Sequence, residues 1–426
     1  MIAASSMRRV RALLGGLAVA FAASHVAAAT PYPLFGGKPL DWERSGGKVV
    51  GVYTPNWQST ALVDALKGDS VTHVVYAFLH VCGPGQLPAD APRCVGKGDF
   101  QLATSEIDAR FDAAFARLKA RAPHVRVVAS VGGWGGSDPF FHLANAPGPR
   151  TAFAQSAADF LRTHPAFDGI DIDWEHPGNN GSANGVALGS PADGQGFADL
   201  MASLRSALDV LTAENGRKYL VTAAVNTDHA VVDRVNWKQA QQSMDLVFMM
   251  TYDFYGPWTA ATGNHAAPRA SAAGAQDGLD AAVAALTGAG VPAAKLVAGV
   301  AMYGRGFTGV AVKPGRPFTG APHAGTYPAP GGSADYRELA ARYLDRDGHG
   351  RHGYAAILDA RTQAWNLYNA RSQLFMGYDD PRAVIAKGAY ARQAGLAGVF
   401  AWELSQDNGD ILNAMNFGVG NALLQP

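Results

Sequence analysis

Three carboxylates fall at every second position of the segment 167–175. Asp171, Asp173 and Glu175 alternate there with Ile170, Ile172 and Trp174. On an extended strand, alternate side chains share one face at about 7 Å spacing. The acids would line one side of such a strand and bulky apolar groups the other. Carboxylates buried side by side lose hydration and repel one another, so a face of this kind implies a use. Nearby carboxyls suit glycoside hydrolysis, in which an acid with raised pKa protonates the leaving oxygen. Glu175, at the open end of the strand and beside Asp173, is the candidate acid. The residues alone leave open whether a second carboxylate acts as nucleophile or as base. Calcium loops also alternate acids, but here Gly169 precedes them and Ile and Trp intervene, which is strand rather than loop chemistry. A merely solvated acidic face does not account for the apolar face opposite.

Other short β-rich runs recur along the chain: 49–53, 71–79, 125–131, then 169–175 itself, 220–225, 246–251, 296–302 and 398–402. Segments with helical patterning, such as 152–163 and 196–214, separate most of them. Eight alternations predict an α/β fold, the (β/α)8 barrel. The connection between the seventh and eighth runs is far longer than a barrel needs. It contains a predicted helix (334–346), three predicted strands (354–358, 362–368, 373–378) and a barrel helix (380–394). An α+β insertion is therefore expected at 306–376, between barrel parts 30–305 and 377–426. Neither an internal repeat nor a linker leading to an appended module is apparent.

Barrel chemistry gathers at the C-terminal strand ends. In order these carry Tyr53 and Trp57, Phe78, Gly133 and Trp134, Asp173 and Glu175, Met250 with Tyr252 and Asp253, Tyr303 with Arg305, and Trp402. Trp258, just beyond Asp253, is grouped with them. Any one of these aromatics could be core filler; together they predict a trough on which sugar rings stack. Trp42, Trp237 and Trp365 lie away from strand ends and receive no functional role.

The 426 residues are 48% hydrophobic and 16% charged, with 35 basic and 35 acidic side chains, so a large core is available and a nucleic-acid partner is disfavoured. Residues 1–29 read as an export signal: Arg8, Arg9 and Arg11, a short apolar run, then Ala27-Ala28-Ala29. No run reaches the roughly 18 apolar residues of a membrane span. A secreted, monomeric protein is expected, with a periplasmic destination as the alternative. Cys82 and Cys94 are the two cysteines, and in an oxidising compartment they are expected to staple one loop. The twelve histidines lack metal-like spacing, and neither a metal nor a cofactor is expected.

The run Asp168-Gly169-Ile170-Asp171-Ile172-Asp173-Trp174-Glu175 resembles the signature of the family 18 glycoside hydrolases, the chitinase family. Ser130-Val131-Gly132-Gly133, Met250-Thr251-Tyr252-Asp253, Tyr303-Gly304-Arg305 and Trp402 are similar to further motifs of that family, and the likeness spans about 48–405. It implies hydrolysis of β-1,4-linked N-acetylglucosamine polymers, endo-acting, in which the substrate's own acetamido oxygen attacks and configuration is retained. On that resemblance Glu175 is acid and then base, Asp173 orients the acetamido group, and Asp171 shares a proton or hydrogen bond with Asp173. Tyr252 donates to the acetamido carbonyl, Trp402 floors the sugar, and Asp253 and Arg305 are polar contacts. Asp168, out of phase with the other acids, reads as structural, and His176 as either a supporting neighbour of the acid or incidental. Two alternatives stand beside a chitinase: a sugar-binding lectin that has lost turnover, and an endo-β-N-acetylglucosaminidase acting on N-glycan cores.

Overall fold

The computed structural model describes residues 30–312 and 316–424; the expected export signal lies outside them. Residues from Pro33 onward form one compact unit. Its centre is a closed barrel of eight parallel strands: Val49–Pro55, His73–Val81, Arg126–Gly132, Gly169–Asp173, Leu220–Val225, Leu246–Met249, Leu296–Ala301 and Gly398–Trp402. Each pairs with the next, and the eighth closes on the first, Gly398 opposite Val49.

These strands are nearly continuous apolar runs because both of their faces are covered. Tyr53, Val75, Ala77, Ala224, Phe248, Val297 and Phe400 pack together inside the barrel. Val52, Val74, Ile170, Ile172 and Val221 face the other way and join the layer of helices. The alternation in the acid strand thus does what its pattern implies: isoleucines face the helices and carboxylates the interior. The helix Glu106–Arg121 buries Phe111, Ala114, Phe115 and Leu118 at helical spacing and is started by a capping box of Ser105 and Asp108. The expected helix at 152–163 begins earlier, as Pro147–Thr163. Pro147-Gly148-Pro149 reads as loop in sequence, yet proline is well suited to a first helical turn.

Three strands are shorter than expected, each for a local reason. The acid strand stops at Asp173, because the Glu175 amide turns to Ser137 Oγ (3.2 Å) instead of the next strand. The sixth stops at Met249, where the Thr251 hydroxyl bonds to the Gly299 carbonyl (3.0 Å). The seventh ends at Ala301, and Tyr303–Thr308 then leaves for a second sheet. That sheet is antiparallel, in the order Gly325–Thr326, Tyr303–Thr308, Leu374–Tyr378, Ala364–Asn369, Ala355–Asp359, with helix Tyr336–Tyr343 in the same insertion. The long seventh-to-eighth connection is therefore an α+β insertion, as expected. Two small antiparallel pairs were not foreseen, Trp42–Glu43 with Ala422–Leu423 and Leu102–Ala103 with His80 and Val81. Two-residue strands leave no periodicity to read.

Asp168 ties the bottom of the barrel. It accepts the Val127 amide (2.9 Å) and pairs with Lys119, Arg126 and Arg217 at 2.7, 3.7 and 3.4 Å. Cys82 and Cys94 are bonded, closing the loop after the second strand. A second charged tie is fully buried: Lys387 Nζ meets Asp379 Oδ2 at 2.6 Å and the Gly299 carbonyl at 3.0 Å, while Asp379 accepts the Ala301 amide. Burial lowers the proton affinity of Lys387, and Asp379 opposes that. Breaking a buried pair strands one charge, so Lys387→Met is expected to destabilise the fold by about 3–5 kcal/mol. Lys387→Met/Asp379→Leu should recover most of the loss. Equilibrium urea unfolding compares them, and equal midpoints for wild type and single variant would remove the pair from any stabilising role.

Candidate active site

The acid strand delivers its carboxylates at three depths. Asp171 is the deepest and fully buried. Three hydroxyls bond to it: Ser130 (2.7 Å) and Thr222 (2.6 Å) from the two neighbouring strands, and Tyr53 (2.9 Å) from the first strand. Burial raises its pKa and the hydroxyls counter that rise. Asp173 lies above it with Oδ1 buried and without a hydrogen-bond partner. Burial, then the charges of Glu175 and Asp171, push its pKa well above the usual carboxylate range. Glu175 is outermost, its side chain 16% exposed. Burial first, then the charge of Asp253, raise its pKa to about 7. A carboxyl that gives up its proton only near neutral pH therefore stands beside two other acids.

The third strand makes room for this group by having no side chain at its end. A Cβ on Gly132 would lie 2.2 Å from the Asp173 carbonyl, and one on Gly133 would lie 2.6 Å from the Phe78 ring. The Gly133 amide donates to that same carbonyl at 2.9 Å, locking the two strand ends together. Across the mouth, Asp253 receives a two-pronged contact from Arg305, both bonds 2.8 Å, with His265 Nδ1 3.6 Å away. Burial would raise the Asp253 pKa, but His265 and Arg305 outweigh it and keep the group ionised. Tyr252 is held far above the usual tyrosine range, first by burial and then by the charge of Asp173, so it stays a hydroxyl donor.

Aromatic rings complete the cleft. Trp402 stacks on Phe78 (5.6 Å, 20°) and lies 5.5 Å from Tyr53 and 6.3 Å from Trp57. The Arg305 guanidinium sits 5.1 Å over Trp258 and 5.2 Å over Tyr303. Trp57, Trp134 and Trp258 are each more than half exposed, an unusual amount of apolar ring surface to leave facing water in one depression. The cavity holds about 1150 Å³, enough for several linked sugar rings.

Tyr53, Trp57, Phe78, Trp134, Asp173, Glu175, Met250, Tyr252, Asp253, Trp258, Tyr303, Arg305 and Trp402 all line this one cleft. Asp171 and Gly133 lie behind it, as support. Trp42 and Trp237 prove buried, their indole N–H groups bonded to Asn413 and to the Val232 carbonyl, and Trp365 packs under Arg382. Sequence reasoning assigned no role to one wall, formed by His176, Asn179, Asn226, Asp228 and Arg234, together with His80 on the second strand and Leu87 on the loop after it. Asn226 stands one residue past the fifth strand and His80 near the end of the second, so the strand-end rule could have found both; loop geometry places Leu87, Asn179, Asp228 and Arg234. Among the described residues, one acid–histidine cluster has metal-like spacing, Asp345, Asp347 and His349. It lies on an insertion loop outside the cleft lining, and Asp345 there accepts the amides of Asp347 and His349.

Residues 49–407 match the family described as Glycosyl hydrolases family 18. Over 88% of this chain, the sequence is 35% identical to Chitinase A of Pseudoalteromonas piscicida, covering 52% of that protein. It is 33% identical to a probable endochitinase of Orgyia pseudotsugata multicapsid polyhedrosis virus, covering 72% of it. The chain thus spans about half the length of the bacterial relative. A solved family 18 N-acetylglucosaminidase from Paenibacillus barengoltzii superposes with a TM-score of 0.72 at 29% identity, over 87% of this chain and 99% of that one. With the match extending across the whole barrel and its insertion, the chain belongs to the family 18 glycosyl hydrolases.

Proposed function

We propose that the protein is an exported chitinase that cleaves β-1,4-linked N-acetylglucosamine polymers with retention of configuration, using the substrate's acetamido group as nucleophile. The observation that carries this reading is the Glu175 carboxyl, raised to about 7 and set beside an Asp173 that has no protein partner on Oδ1. An unpartnered buried carboxylate oxygen leaves room for a donor from the substrate, and an acetamido N–H is such a donor. Tyr252, kept a hydroxyl and lining the same cleft, would donate to the acetamido carbonyl, and Trp402 would support the sugar from below. The aromatic trough supports an oligosaccharide substrate. Export rests on the composition of residues 1–29 alone. Among the described residues, no helix is long and apolar enough to cross a membrane.

Hydrolysis of chitohexaose with anomer detection tests the reading. The first products should carry the β-anomer of the substrate, and a glucan of equal length, lacking the acetamido group, should not be cut. The pH profile follows from Glu175. The acid is active when protonated, so kcat/KM should be high below about 7 and fall about tenfold per pH unit above it. A flat profile to pH 9 would remove Glu175 as the proton donor.

A further inference from the structure

Next to the proposed acid stands a second titratable group that the catalytic reading does not use. His176 Nε2 lies 3.8 Å from Glu175 Oε2, close enough that a proton on that nitrogen would draw proton affinity out of the carboxyl. The other neighbour of Nε2 is Asn226, whose Nδ2 is 3.1 Å away. The orientation of this amide is not free, because Asn226 Oδ1 accepts the Asp228 main-chain N–H at 2.7 Å. Its NH₂ must therefore face the imidazole, and an NH₂ group can only donate. Nε2 is left as the acceptor, so a neutral ring carries its proton on Nδ1, away from Glu175. Nδ1 is buried and has no hydrogen-bond partner, and the main chain of Trp174 raises the proton affinity of the ring.

We infer that Asn226 is a positioning residue: by donating to His176 Nε2 it holds the imidazole neutral and turns a lone pair, instead of an N–H, toward Glu175. The acid is thereby denied the hydrogen bond and the positive neighbour that would make it give up its proton too early. Burial acts in the same direction, lowering the His176 pKa to about 4 against the opposing charge of Asp228. The other ionisable groups around the acid are Asp171 and Asp173 on its own strand and Tyr252 and Asp253 on the sixth, with Arg305 engaged by Asp253. Arg234 lines the same wall as Asn226 and Asp228. Among these groups His176 can gain a positive charge directly beside Glu175, and Asn226 controls whether it does.

The inference rests on Glu175 being the acid, so its test is a double-variant cycle read on pH profiles rather than on absolute activity. In Asn226→Ala, Nε2 is free to take a proton and donate to Glu175. The alkaline limb of kcat/KM should then move down by about half to one pH unit, about a two- to sixfold loss at pH 7.5 relative to pH 5.5. In a His176→Phe background, which keeps a flat ring but no nitrogen, the same substitution should leave the limb in place. A limb that does not move, or that moves equally in both backgrounds, overturns the inference. If Glu175→Gln retained full activity, the underlying reading would have failed instead. Should Asn226→Ala fold poorly, ¹⁵N-histidine-labelled wild type gives an independent answer. His176 should show a protonated Nδ1 and a bare Nε2 from pH 5.5 to 8, and a protonated Nε2 anywhere in that range would overturn the inference.

Discussion

Glu175→Gln is expected to lower kcat for chitotetraose about a thousandfold or more, with oligosaccharide affinity changed by less than about threefold. The side chain keeps its size and its place beyond the acid strand. Its raised proton affinity comes from burial and from Asp253, and an amide has no proton to give at any pH. The proposed sugar-binding surface includes the exposed Trp57, Trp134 and Trp258 together with Arg305, none of which the substitution changes. Binding and turnover should therefore separate cleanly. Calorimetric titration of the variant gives the affinity, and single-turnover hydrolysis gives the chemical rate. The same variant distinguishes the enzyme from a lectin on this barrel: in a lectin, both measurements would already be indifferent to the acid. Near-wild-type hydrolysis by Glu175→Gln would leave the site without its proton donor.

The barrel and its insertion were legible because their signals are periodic. The strands are apolar runs between helical segments, and an excess of residues between the seventh and eighth strands left no other place for a second sheet. The acid strand was legible at higher resolution still, since Ile170 and Ile172 had to face the helices and Asp171 and Asp173 had to face inward. What the sequence could not show was depth. Asp171 and Asp173 have the same side chain two residues apart, yet one meets three hydroxyls and the other meets none on Oδ1. That difference is made by Tyr53, Ser130 and Thr222, which come from three separate strands, and no local pattern links them. The wall of Asn226, Asp228 and Arg234 was hidden for a related reason. Its residues sit on loops whose path depends on tertiary contacts, such as the Asx turn at Asn226.

The contrast between those two aspartates leads to the second large effect. Asp171 accepts three hydroxyls, whereas Asp173 lines the cleft with its proton affinity raised and its Oδ1 buried without a partner. If Asp173 holds the acetamido N–H and then faces the positive charge that develops as the ring closes, Asp173→Asn keeps the hydrogen-bond acceptor and loses the charge. A drop in kcat of about a hundredfold or more is expected, since preorganised charge is worth most inside a dry site, while KM should rise only modestly. A covalent role for Asp173 predicts a similar loss, so a second measurement is required. In Asp173→Ala, azide would replace a missing carboxylate nucleophile, restore turnover and yield a glycosyl azide of inverted configuration. Under acetamido participation the nucleophile belongs to the substrate and survives the substitution, so azide should restore nothing. Rescue by azide would transfer the attacking atom from the sugar to Asp173 and overturn the proposed mechanism, even if chitin remained the substrate.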